Sequence, residues 1–244
     1  MNKLRINNMK EFKQVIKNEP YYGKPILPIS QEKDFEELYE FFKGKSVAIV
    51  SPSDTLVDKK LGKLIDSYDI VCKVGDGHLI NDPEDYGKRI DVSFCGCFPS
   101  WEQNKPKYFE NKNIKKIISV IKPCMNGIRD VHKRDLYGHL KKLERELSEI
   151  DFYTVGILSC LFDNETKTRA TSGTFSINFL LQLNLKELGI FGFNWFKNSA
   201  TYHSHYSIKK SWGGHGCSLE PEKKLLKKKI GDSKFEVKLF HTIF

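Results

Sequence analysis

Two kinds of hydrophobic pattern alternate along this chain. Short runs that are apolar at successive positions, such as Val47-Ala48-Ile49-Val50, are typical of strands covered on both faces. Between them lie segments such as 31–44, whose apolar residues recur every three or four positions before a glycine, as in amphipathic helices. The apolar runs predict strands at 47–50, 69–74, 89–94, 116–121, 152–155, 188–191 and 235–239. Helical spacing predicts helices at 31–44, 56–64, 133–150, 173–184 and 221–230.

The order of these elements indicates the fold class. Strands that alternate with helices are typical of a mainly parallel sheet with helices on both faces. Residues 1–30 are polar and contain Pro20, Pro25 and Pro28, so we interpret them as a lead-in segment. We therefore expect a single α/β domain over residues 31–244.

Composition and charge narrow the classes of function. The chain has 244 residues, 39% of them hydrophobic, which is enough for a proper core. Its net charge of +9 suits anionic partners, but does not choose among nucleotide phosphates, acidic glycans, lipid headgroups and nucleic acid. No apolar run reaches the ~20 residues that span a bilayer, and the basic start lacks the apolar core of a secretory signal. We expect no transmembrane segment and a cytoplasmic location.

Small and polar residues follow three of the predicted strands. In parallel α/β sheets, ligands bind beyond the carboxyl ends of the strands, where the strand order switches. Candidate ligand contacts are therefore the residues in the loops 51–55, 75–79 and 193–198. They are Ser51, Ser53, Thr55, Gly75 and Asn194. The hydroxyl residues could bind a phosphate or ribose, or they could simply cap the following helix.

The segment Arg169-Ala170-Thr171-Ser172-Gly173-Thr174 closes a polar loop and opens an apolar helix. Thr171 or Ser172 would be the N-cap, and Gly173 allows a ligand to approach the backbone closely. Such a turn can hold a carboxylate through N–H groups and hydroxyls. A helix cap without a ligand is the alternative.

Three histidines and a cysteine lie close together in the sequence, at His203, His205, His215 and Cys217. Their spacing fits no common structural zinc pattern, so we expect no metal. An imidazole is suited to accept a proton near neutral pH, and the turn Gly213-Gly214-His215 presents one.

Four segments in a fixed order resemble the sialyl motifs of the animal sialyltransferase family. They are residues 46–56 (SVAIVSPSDTL), 169–178 (RATSGTFSIN), 202–206 (YHSHY) and 213–220 (GGHGCSLE). The resemblance implies a Rossmann-like domain of the sialyltransferase type, a variant of the GT-A architecture. It also implies an inverting, metal-independent transferase without a cofactor. Such an enzyme moves sialic acid, or a related sugar such as Kdo, from a CMP-activated donor to a glycan hydroxyl.

The resemblance also suggests roles for individual residues. His215 matches the general base of the last motif, and Glu220 follows it at the family's spacing. His205 matches the histidine of the third motif and, with the hydroxyls of Tyr202 and Tyr206, would face the leaving phosphate. The stretch 171–173 would hold the donor.

The donor loops differ from the family pattern at defined positions. Pro52 and Thr55 replace the asparagines that hold CMP in the family, and Gly75 replaces a further one. This keeps open a second hypothesis, a non-catalytic glycan- or nucleotide-binding module on the same fold. A third hypothesis is a nucleic-acid-binding protein, whose positive charge would contact the phosphate backbone. However, the lysines are spread out and no known nucleic-acid module is visible, so we expect no nucleic-acid partner.

Overall fold

The computed structural model describes residues 31–95, 114–120, 150–154, 165, 170–195 and 219–243. Within these residues seven strands form one parallel sheet with the order β5-β4-β3-β2-β1-β6-β7. The strands are β1 (Ser46–Val50), β2 (Ile70–Val74), β3 (Val92–Cys95), β4 (Lys116–Ser119), β5 (Asp151–Thr154), β6 (Glu187–Phe191) and β7 (Glu236–Phe240). The predicted α/β class and parallel sheet are confirmed.

Helices lie on both faces of this sheet. They are α1 (Gln31–Phe42), α2 (Gly62–Asp66), α3 (Pro83–Tyr86), α4 (Ser172–Leu181) and α5 (Leu219–Gly231), with 3-10 turns at Asp54–Leu56 and Gly75–Leu79. Buried residues of α1, α4 and α5 share one hydrophobic cluster with the sheet, and those of α2 and α3 share another. Because successive residues of a strand point to opposite faces, strands β1, β2 and β6 contribute buried residues to both clusters.

Phe179 of α4 is the centre of the larger cluster. It has no exposed surface and meets Phe35, Phe42 and Phe94 edge to face, with ring centroids 5.8–6.3 Å apart. Edge-to-face contact is the favoured arrangement of aromatic pairs and adds to the stabilisation from burial. The apolar helix that follows the 169–174 segment is therefore a central packing element.

The predicted helix at 56–64 is wrong. Its first part is a loop, in which Asp58 and Lys60 have positive φ angles of 62° and 53°, and only Gly62–Asp66 is helical. The N–H groups of both residues donate to the carboxylate of Asp85, at 2.5 and 2.7 Å. A carboxylate is a stronger acceptor than the carbonyl that a helix would offer, so this distant side chain overrides the local pattern. The predicted helix at 133–150 lies outside the described residues.

Candidate functional site

The strand order reverses between β1 and β6. From β1 the chain builds outward to β5 and then returns to add β6 and β7 on the other side. The loops that follow β1 and β6 therefore frame the crevice where parallel α/β sheets bind ligands. The two loops are joined by hydrogen bonds: Ser51 N–H donates to Phe191 O at 3.0 Å, and Thr55 Oγ1 donates to Gly192 O at 3.1 Å.

The loop after β1 is held by its own hydroxyls. Ser53 is 2% exposed and is the N-cap of the 3-10 turn, because its Oγ accepts from Thr55 N–H at 3.3 Å. Its hydroxyl donates to Thr55 Oγ1 at 3.2 Å, and Tyr86 OH donates to Ser53 O at 2.5 Å. Burial raises the pKa of Tyr86, and the nearby carboxylates, of which Asp54 has the largest effect, raise it further. The phenol therefore keeps its proton and donates this hydrogen bond. In the described part of the chain only the Ser51 hydroxyl of this loop lacks a partner.

The loop after β2 lies beside the loop after β1. Gly75 has a φ of +58°, which favours glycine, and a Cβ built on it would meet nothing within 4 Å. A Cβ on Gly77 would contact the Cβ atoms of Lys73 at 3.5 Å and Pro52 at 3.9 Å. Lys73 is 3% exposed and donates to Gly87 O at 3.1 Å, and burial lowers its pKa to about 8. Gly75 thus provides open space at this edge.

The N-terminus of α4 packs against the segment after β6. Thr171 is the N-cap, and its hydroxyl accepts from Thr174 N–H at 3.3 Å. A Cβ on Gly173 would lie 2.9 Å from the ring of Phe193, so only glycine permits this close approach. The N–H groups of Ser172 and Gly173 belong to the first helical turn and have no partner within the described ranges. They are available to an anion.

Glu222 reaches this turn, although it belongs to none of the sequence motifs. Its side chain is fully buried and its Oε2 accepts from Thr171 N–H at 3.1 Å. Helix α5 begins at Leu219, so the predicted Glu220 lies in its first turn, with its side chain 83% exposed and paired with Lys223 at 3.1 Å. A signal was present: Glu222 lies four residues before the apolar Leu226, on the same face of the helix.

The segment after β6 contributes three buried side chains, the first of which is Phe193 at 7% exposure. Asn194, a predicted contact, is 6% exposed, and so is Trp195 beside it. Trp195 donates its indole N–H to Thr174 Oγ1 at 3.1 Å and thereby ties this segment to α4. The structure thus brings the loops 51–55 and 192–195 and the turn 171–173 to one end of the sheet.

Four predicted site residues lie outside the described residues. They are Tyr202, His205, Tyr206 and His215. Their roles therefore stay predictions, as does the expectation that the neighbouring histidines and cysteine hold no metal. Among the helices that the structure describes, none is both long and apolar enough to cross a membrane.

Comparison with known proteins gives a consistent result at the level of the fold. No family model matches the sequence, and no curated protein matches it. A mammalian sialyltransferase structure is 14% identical with a TM-score of 0.52, over 97% of this chain and 86% of the other. A monofunctional alpha-2,3-sialyltransferase from Campylobacter jejuni is 14% identical with a TM-score of 0.56, over 81% and 76%. A sialyltransferase from the same organism, solved in complex with CMP, is 14% identical with a TM-score of 0.51, over 81% and 80%.

The chain therefore has a sialyltransferase-type fold. The resemblance noted in the four sequence segments is confirmed at this level. Identities of 14–16% establish the architecture, and the activity has to be argued from the site.

Proposed function

We propose that this protein is a glycosyltransferase that moves sialic acid or a related sugar from a CMP-activated donor to a glycan hydroxyl, with inversion. One observation carries the proposal. Three stretches far apart in sequence, 51–55, 171–173 and 192–195, meet at the switch point of a sialyltransferase-type fold.

The donor contacts are divided between the two sides of the crevice. The loop after β1 offers the Ser51 hydroxyl, and Gly75 leaves space beside it, which suits the nucleotide. On the opposite side Ser172 and Gly173 offer N–H groups at a positive helix end, which suits the carboxylate of the sugar. The proposed donor therefore lies across the carboxyl ends of β1 and β6.

The chemical step requires a proton acceptor. A sugar hydroxyl has a very high pKa, so an imidazole nitrogen of His215 would take its proton as the oxygen attacks the anomeric carbon. The bond from that carbon to the phosphate breaks, and CMP departs with the electron pair. His205 and the hydroxyls of Tyr202 and Tyr206 would stabilise the phosphate charge that develops. Attack from the face opposite CMP gives inversion.

Nucleotide selectivity tests the donor class. Thermal shift is measured with CMP, CDP, UDP and GDP, each with and without EDTA. We expect stabilisation by CMP that EDTA does not change, because binding of a ligand to the folded state raises its stability. Stabilisation by UDP or GDP instead of CMP would indicate another class of transferase. If EDTA abolished the stabilisation by CMP, this would contradict metal independence.

Replacement of the base tests the mechanism. We expect His215→Ala to lower transfer by at least ~100-fold, as is usual for loss of a general base, with CMP affinity unchanged. Retained turnover in this variant would remove His215 from the mechanism.

A second candidate is a non-catalytic glycan- or nucleotide-binding module. The observation in its favour is the chemistry of the loops after β1 and β2, where the buried Pro52 and the partly buried Gly75 offer no side-chain amide. A protein that binds a CMP-sugar or glycan but neither transfers nor hydrolyses it would support this candidate.

A further inference from the structure

We propose that Glu222 is a positioning residue for the sugar end of the donor site. It ends a directed chain of hydrogen bonds that starts at Trp195 and fixes the first turn of α4. The inference rests on the proposed function, because it concerns how the donor sugar is held.

One assignment of hydrogens satisfies every contact in this chain. The indole N–H of Trp195 can only donate, and Thr174 Oγ1 accepts it at 3.1 Å. The Thr174 hydroxyl then donates to Thr171 Oγ1 at 2.9 Å. Thr171 in turn donates its hydroxyl to Glu222 Oε2 at 3.4 Å and its N–H to the same oxygen at 3.1 Å. The last group in the chain must therefore be an acceptor, which the carboxylate provides.

Burial protects this series of hydrogen bonds from water. Glu222 is 0% exposed, Thr174 1% and Trp195 6%, whereas Thr171 is partly buried, so water has limited access to these hydrogen bonds. The chain joins the segment after β6, the N-terminus of α4 and the first turns of α5. Loss of the acceptor would leave the two Thr171 donors without their partner at a partly buried position.

These hydrogen bonds also determine which hydrogen-bond donors of the turn remain for a ligand in the crevice. The N–H and hydroxyl of Thr171 are used inside the protein. The described part of the chain then leaves the N–H groups of Ser172 and Gly173 and the Ser172 hydroxyl for a ligand. Under the proposed function these groups bind the sugar carboxylate. Glu222 therefore acts on the affinity for the sugar and leaves the nucleotide contacts of the β1 loop unchanged.

The test compares two ligands by calorimetry. One is CMP, and the other is CMP-sialic acid or CMP-Kdo, whichever binds the wild-type protein more tightly. For Glu222→Leu we expect about tenfold weaker binding of the CMP-sugar, with the Kd of CMP within about twofold, because hydrogen bonds to a charged group are lost. Glu222→Gln keeps an acceptor oxygen, so we expect a loss below about threefold.

Two further variants complete the design. Thr174→Val interrupts the chain at a nearly constant side-chain volume, and we expect the same selective loss even where Glu222→Leu fails to fold. Glu36→Leu makes the matched substitution at an exposed site of α1 and should leave both affinities unchanged.

The outcomes separate the two proposals. An unchanged ratio of CMP-sugar to CMP affinity in Glu222→Leu and Thr174→Val contradicts the positioning role, while CMP binding by the wild type still supports the function. A wild-type protein that binds neither ligand contradicts both.

Discussion

Lys73 provides a sharp test of the packing around the loops that follow β1 and β2. Its side chain is 3% exposed, and burial lowers its pKa from 10.5 to about 8, an effect that the charge of Asp66 opposes only in part. The folded protein therefore releases this proton near pH 8, whereas the unfolded chain keeps it until about pH 10.5. Between these values the unfolded state binds more protons, so stability rises with pH.

The size of the effect follows from the shift. One pKa unit corresponds to about 1.4 kcal/mol, so Lys73 should add about 2 kcal/mol to the free energy of unfolding between pH 7.5 and 9.5. Burial also raises the pKa of Cys72, Tyr68 and Tyr86. These groups act in the opposite direction, because they ionise in the unfolded chain at lower pH than in the folded one. The scan therefore ends at pH 9.5, and the effect of Lys73 is taken as a difference from a variant.

The assay is urea unfolding at pH 7.5, 8.5 and 9.5 for the wild type, Lys73→Met and Lys63→Met. Lys63 is an exposed lysine on α2 and serves as the matched control. We expect the wild type and Lys63→Met to gain about 2 kcal/mol relative to Lys73→Met across this range. Parallel pH profiles for all three proteins would show that Lys73 is not buried as a desolvated amine.

Three further substitutions test individual contacts. Gly173→Ala places a Cβ 2.9 Å from the ring of Phe193. We expect the free energy of unfolding, measured by thermal unfolding, to fall by about 1 kcal/mol, because overpacking outweighs the gain in helix propensity. A rise in Tm would refute the close approach. Tyr86→Phe removes the 2.5 Å hydrogen bond to Ser53 O, and we expect the free energy of unfolding in urea to fall by about 1 kcal/mol. An unchanged unfolding midpoint would show that this bond does not contribute to stability. Asp85→Ala removes the acceptor of the Asp58 and Lys60 N–H groups, and we expect the free energy of unfolding to fall by about 3 kcal/mol. Hydrogen exchange of these two amides should become faster, and unchanged exchange would contradict the account of this loop.

The inner strands of the sheet could be predicted from the sequence because they are covered on both faces. Runs such as 47–50 and 188–191 have no polar side to accommodate, so their composition alone identifies them. The loop at 57–61 could not be predicted in this way. Its apolar residues have helical spacing, but its conformation depends on Asp85, a residue more than 20 positions away.

The candidate site was predictable only in part for a similar reason. Sequence motifs select residues by spacing, and spacing led to Glu220, which is exposed. Which glutamate is buried depends on where α5 begins and which face it turns to α4, and that face carries Glu222 and Leu226. Trp195 was missed because its role arises from a contact with Thr174, 21 residues earlier in the chain.

The most direct test of the central claim is turnover of a CMP-sugar. The protein is incubated with CMP-sialic acid or CMP-Kdo and a mixed glycan acceptor, and the released CMP and the anomeric configuration of the product are followed by NMR. We predict release of CMP coupled to a product of inverted configuration, with His215→Ala inactive. Tight binding of the donor without any release of CMP, or a product with retained configuration, would contradict the proposed transferase.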